Sequence, residues 1–282
     1  MLGSMKDLLG YRVNGTDGEV GTVHDFFFDD SAWVLRYVVV DTGKWLPGPL
    51  RLLAPGAFLK PDWRGEVISV RHTREQVESS PPVDVARPVS RRQEEALFQH
   101  YDWLPYWPAV AGRPPIPPAP PASPAAEMQA PPPDLDQEVH LRSFREVRGY
   151  GITTQDGSVG HVEDFLLSDG DWGLKLLAVD TRNWLPGRSV YVAIRHVKGI
   201  EWKRKQVELG LTEAEVKEAP GLDEPPLFRS EAPVREEAEQ RLYDYYGLHP
   251  ERVPEAQAQP KPVSEDVAYK SRHSRTRAEE GE

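Results

Sequence analysis

Apolar and polar positions along the first half of the chain fall in short runs separated by turn residues. Tyr11-Arg12-Val13 leads into Asn14-Gly15-Thr16-Asp17-Gly18, whose Asp-Gly pair is a strong hairpin signal. Glu19 to Phe28 reads as the returning strand, with Val20, Val23 and Phe26 as its apolar positions. Asp29-Asp30-Ser31 turns the chain into a β-rich run from Trp33 to Val40, and Asp41-Thr42-Gly43 makes a further turn. Short strands are predicted at Leu50–Leu53 and Val67–Val70. Short strands at even spacing, separated by turn residues, describe a small barrel or sandwich.

The same pattern occurs twice. Moving the sequence along itself by 139 residues places Gly10-Tyr11 on Gly149-Tyr150, with no gap over the next seventy positions. Asp17-Gly18 then meets Asp156-Gly157, Asp25-Phe26 meets Asp164-Phe165, and Trp33 meets Trp172. Asp41-Thr42 meets Asp180-Thr181, and Trp45-Leu46-Pro47-Gly48 meets Trp184-Leu185-Pro186-Gly187. Between Gly10 and Gly48, 19 of 39 aligned pairs are identical. A period this long duplicates a whole domain, because solenoid repeats run roughly 20–50 residues. The second copy predicts strands at Gly160–Leu167, Leu174–Val179, Val190–Ile194 and Gln206–Leu209.

Helical signals follow each β-rich unit. Thr73-Arg74-Glu75-Gln76 and Thr212-Glu213-Ala214-Glu215 both match the capping box, and Pro81 and Pro220 end both helices early. A second helix runs from about Ser90, another capping box with Gln93, to His100, with Glu94, Leu97, Phe98 and Tyr101 on one face. Its counterpart places Val234, Ala238, Leu242 and Tyr246 on one face, after Pro233 in the first turn. Aromatic tails end both helices; the first carries Tyr101, Trp103, Tyr106 and Trp107. Between the halves, 12 of the 29 residues from Pro105 to Pro133 are proline, which predicts an extended spacer. The expected organisation is therefore unit 1 at 5–85, an amphipathic helix with aromatic tail at 88–104 and a proline-rich linker at 105–140. Unit 2 follows at 144–224, then a helix at 232–248 and a disordered polar tail at 255–282.

Composition narrows the classes of function. Hydrophobic residues make up 39% of the 282-residue chain and prolines number 28, which suits small modules joined by extended segments. A net charge of −11 disfavours a broad nucleic-acid surface, because phosphate binding needs a basic face. The stretch from Tyr269 to Arg277 is the local exception, read first as a solvated tail and second as a weak contact for RNA or an anionic surface. The absence of cysteine removes disulfide and thiolate chemistry and fits a reducing compartment. No run approaches the roughly 20 apolar residues of a membrane span, and Met1 to Asp7 lacks a signal-peptide core. A cytoplasmic protein is expected.

Catalytic signals are weak. Asp25 and Asp41 recur as Asp164 and Asp180, which any shared acid–base chemistry would require. Asp41 precedes Thr at a strand end, however, where its carboxylate suits capping of the turn. None of the eight histidines pairs with another under the repeat shift, and none shows zinc-ligand spacing. No G-x-S-x-G elbow or phosphate-cradling loop is present. No catalytic residue, metal ligand or cofactor is expected. The duplicated Trp-Leu-Pro-Gly is the most distinctive local signature, either plugging the core as a closing loop or serving as an exposed anchor. The aromatic cluster from Tyr101 to Trp107 carries the same two readings.

These residues in this order resemble the PRC-barrel, the small β-barrel of the photosynthetic reaction-centre H subunit and of the C-terminal part of RimM. The resemblance rests on Gly10-Tyr11, Asp17-Gly18-x-x-Gly21, Val23-x-Asp25-Phe26 and the Trp33–Val40 strand. It continues through Asp41-Thr42-x-x-Trp45-Leu46-Pro47-Gly48 and the Thr73 helix, and the second copy carries every one of these features. It implies a mainly β fold of two tandem barrels, each followed by helices and related by approximate two-fold symmetry. It also implies a non-enzymatic scaffold that docks an unidentified protein partner. A ribosome- or RNA-associated factor like RimM is the alternative, and a small-molecule or stress sensor using a cleft between barrels is a third.

Overall fold

The computed structural model describes residues 2–43, 48–59, 62, 64–85, 89–103, 106, 141–181, 189–222 and 232–247. The chain opens with strand β1 (Leu2–Ser4) and a single helical turn, α1 (Met5–Leu8). The hairpin follows as β2 (Arg12–Gly15) and β3 (Gly18–Asp29), then β4 (Val34–Asp41), β5 (Leu50–Leu53) and β6 (Val67–Ser69). Helices α2 (Arg74–Glu78) and α3 (Arg91–Tyr101) each begin with a formed capping box, Thr73 with Gln76 and Ser90 with Gln93. Each box satisfies two backbone donors that the first helical turn leaves unpaired.

The second half repeats the plan: β7 (Leu141–Ser143), α4 (Phe144–Val147), β8 (Gly151–Thr153), β9 (Ser158–Ser168), β10 (Leu174–Asp180) and β11 (Ser189–Ala193). Then come β12 (Val197–Glu201), β13 (Gln206–Leu209), α5 (Glu213–Glu218), β14 (Gly221–Leu222) and α6 (Ala232–Tyr246). The protein is thus mainly β with short helices. The predicted strands are present; β9 extends beyond the expected Gly160–Leu167 at both ends, because Ser158 pairs with Thr153 of β8 and the far end gains a pairing partner that the sequence did not suggest. The proline-rich linker, apart from Tyr106, and the polar tail lie outside the described residues.

Two mixed sheets form. Among the described residues one runs β5-β4-β3-β2-β6 and the other β12-β13-β8-β9-β10-β11-β14. Each also receives one strand from the opposite half of the chain: β7 pairs with β3, and β1 pairs with β9. The pairings are reciprocal under the repeat, since Leu141 faces Asp29 and Leu2 faces Ser168. Strand length explains why there is room. Strand β3 pairs with β2 only from Gly18 to Thr22, so its far end presents backbone groups that β7 meets at Phe27–Asp29. An uncovered edge of this kind is a standing invitation to pair.

A second reciprocal contact joins the turns that follow β3 and β9. The Leu35 amide donates to the Trp172 carbonyl at 2.9 Å and the Leu174 amide to the Trp33 carbonyl at 2.8 Å. Trp33 and Trp172 both sit at positive φ, 52° and 56°. Such a conformation is costly for a bulky residue. Here the rings repay it, since Trp33 stacks on Phe28 and Trp172 meets Phe58 edge-on at 5.2 Å. Phe28 also contacts Phe165, and Phe144 contacts both Phe26 and Phe165. Side chains of both halves therefore share one continuous apolar core. On the outer face of the second sheet, Leu242 and Tyr246 of α6 cover Leu166, Leu176, Tyr191 and the exchanged Leu2.

Candidate functional site

The most highly organised polar groups lie where the exchanged strands dock. Ser143 caps α4 by accepting from the Glu146 amide at 3.1 Å, and its hydroxyl donates to Asp25 at 2.5 Å. Asp25 Oδ1 further accepts the amides of Arg145 at 3.0 Å and Phe26 at 2.8 Å. The second node is built alike. Ser4 caps α1 through the Asp7 amide, and its hydroxyl donates to Asp164, which also accepts the amides of Lys6 and Phe165. Both aspartates follow a bulge, at His24 and at Glu163, that turns their side chains toward the incoming strand. Burial raises the pKa of both despite these donors, that of Asp164 to about 7.

This assigns Asp25 and Asp164 to fastening the two halves together. Each carboxylate is surrounded by its own hydrogen-bond donors and buried to within a few per cent. The serines went unnoticed in the sequence although the signal was present: Leu2-x-Ser4 matches Leu141-x-Ser143 at the same 139-residue shift.

Asp41 closes the base of the first Trp-Leu-Pro-Gly loop. Its Oδ1 accepts the amides of Gly43 and Gly48, both at 2.8 Å, and Thr42 Oγ1 donates to the Pro49 carbonyl. Gly48 is required there, because a Cβ at that position would stand 2.3 Å from the Gly43 nitrogen. Asp180 ends β10 opposite Ser189, and Thr181 is fully buried. Trp45, Leu46 and Pro47, with Trp184, Leu185, Pro186 and Gly187, lie outside the described residues, as does Trp107.

The aromatic cluster after α3 is built around two centres. Tyr101 is buried and stacks on the half-buried Trp103 at 4.4 Å, with the His72 ring 4.5 Å from Tyr101. Burial, reinforced by the His100 charge, lowers the His72 pKa, and burial lifts that of Tyr101 to about 12. The second centre is Glu94, which accepts the hydroxyls of Tyr37 and Tyr106 at 2.8 Å each and pairs with Arg91 at 2.9 Å. Arg36 lies over the Tyr106 ring, 4.0 Å from its centroid. Burial raises the Glu94 pKa against these partners, and burial together with Glu94 raises that of Tyr37. The network fixes α3 and Tyr106 onto β4. Leu176 stands where the repeat would place a second Tyr37, so this centre belongs to the first half alone.

A further feature escaped the sequence reading. The β12–β13 hairpin is tipped by Trp202-Lys203-Arg204-Lys205, with Trp202 49% exposed. Its indole N–H donates to Glu146 Oε1 at 2.7 Å, and the Tyr150 hydroxyl donates to the same oxygen. Trp63 aligns with Trp202 in the repeat, a signal that lay in the sequence. Among the described residues no cluster of three or more His, Cys, Asp or Glu could hold a metal, and no helix is long and apolar enough to cross a membrane. No family model matches the chain, and no curated protein matches it.

Proposed function

We propose that the chain is a tandem of two PRC-type barrels acting as a cytoplasmic, non-enzymatic scaffold that docks a protein partner. The observation that carries this reading is the reciprocal strand exchange. Each half completes the other's sheet, and the buried aspartates that recur in both copies are spent on that joint. Two copies joined in this way present one composite surface to a partner, which suits docking more than independent binding by two loosely tethered modules.

Affinity capture from the native host, with and without ribonuclease and read by mass spectrometry, tests the proposal. A stable protein partner that survives ribonuclease supports it. Ribosomal proteins that vanish with ribonuclease would replace it with the RNA-associated reading. Capture should also survive Asp25→Asn, since that residue is assigned to the joint and not to the partner surface.

A further inference from the structure

From the charge and exposure of the β12–β13 tip, we infer that this hairpin docks on an anionic lipid surface, with Trp202 as the apolar anchor. The tip is a four-residue loop closed by the Glu201–Gln206 pair, with a helical turn at Trp202–Arg204 and Lys205 in the left-handed conformation. Trp202, Lys203, Arg204 and Lys205 are all exposed. Arg145 and Arg148, also exposed, flank the Glu146 that holds the indole. Among the described residues none of these five cations forms a salt bridge, whereas the protein as a whole carries a net charge of −11. A concentration of exposed cations without salt bridges among the described residues, on an acidic molecule, selects an anionic occupant.

The shape of the site decides which one. An exposed four-residue hairpin tip with a single tryptophan differs from the basic channel lined by several stacking rings with which single-strand binders follow a nucleic-acid strand. A tip carrying one tryptophan followed by three cations matches a flat surface with an apolar interior and anionic headgroups. Tryptophan settles at the headgroup level of bilayers, and each basic residue near an anionic leaflet strengthens binding about fivefold. The hydrogen bond to Glu146 holds the indole in place before contact, so little side-chain freedom is lost on docking. The basic run is specific to the second copy: Glu66 of the first half stands where Lys205 stands here, although both adopt positive φ.

Co-sedimentation of the full chain with vesicles tests the inference. Vesicles of equal parts phosphatidylcholine and phosphatidylglycerol should retain the protein at low salt and release it as salt rises. Vesicles of phosphatidylcholine alone should not. Trp202→Ala should weaken binding about tenfold by removing the buried ring, and the double change Lys203→Glu with Arg204→Glu at least about 25-fold. Arg92→Glu, an exposed site on α3, serves as a control and should leave binding unchanged. All these positions are exposed, so circular dichroism should show native folding for each variant. Failure to bind anionic vesicles would overturn the inference, as would binding that the tip variants leave intact. Retention of a single-stranded oligonucleotide in place of vesicles would also overturn it and assign the tip to nucleic acid.

Discussion

Replacing Asp164 with asparagine should make the protein less sensitive to pH. In the folded protein the Asp164 carboxyl keeps its proton up to about pH 7, because burial disfavours the charge, whereas its ordinary value is 3.8. Below 3.8 both folded and unfolded chains hold the proton. As pH rises from there the unfolded chain releases it first, so stability falls until the folded carboxyl also ionises. At about 1.4 kcal/mol per unit, the loss across this window comes to roughly 4 kcal/mol. Asparagine imitates the protonated acid. Its Oδ1 can still accept the Lys6 and Phe165 amides, and its Nδ2 can donate to Ser4 Oγ. Urea denaturation of both proteins from about pH 4 to about pH 8 reads the effect. The stability of Asp164→Asn minus that of the parent should rise by roughly 4 kcal/mol toward neutral pH. Subtracting one curve from the other removes the contribution of every other titrating group. A flat or falling difference would refute the reasoning, and would mean that the three donors outweigh burial and hold Asp164 ionised. Asp25→Asn should change the difference in the same direction, because burial raises Asp25 as well.

Other expectations follow from the same contacts. Phe144 is fully buried against Phe26 and Phe165, so Phe144→Ala should cost about 3–5 kcal/mol. Urea unfolding should remain a single transition for the whole molecule; two separated transitions would contradict a shared core. Residues 1–106 expressed alone should form a homodimer in sedimentation equilibrium, because Leu2-Gly3-Ser4 reproduces the strand and serine that Leu141-Arg142-Ser143 supply to Asp25. A folded monomer would show that exchange does not drive the pairing. Gly48→Ala should destabilise by about 1–3 kcal/mol in thermal melts, from the clash with Gly43. Tyr106→Phe should cost about 1 kcal/mol through the lost Glu94 contact, and Tyr106→Ala more, since the ring beneath Arg36 also goes.

Chemistry between near neighbours in the chain was legible from the amino-acid order. The three capping boxes at Thr73, Ser90 and Thr212 form as the sequence predicts, because a cap involves residues only three positions apart. The hairpin at Asp17-Gly18 and the closure of the loop by Asp41 are equally local. The role of Asp25 and Asp164 was not legible, although their recurrence was. Their partners lie 118 and 160 residues away along the chain.

The duplicated sequence by itself determined that each half carries the same Leu-x-Ser and the same aspartate; that the serine ends a strand and the aspartate follows a bulge is seen only in the fold. The duplication left undecided which serine meets which aspartate. Ser4 and Ser143 present the same hydroxyl, Asp25 and Asp164 the same carboxylate, and strands of three residues have no periodicity to separate them. Hydrogen-bond chemistry is indifferent between a half that closes on itself and two halves that exchange. Only the tertiary structure resolves this. The pairing of the two tryptophan turns and the ring contacts of Phe28 and Phe144 with Phe165 bring the far end of each long strand to the opposite half. Each short strand then covers the edge nearest to it, which belongs to the other half.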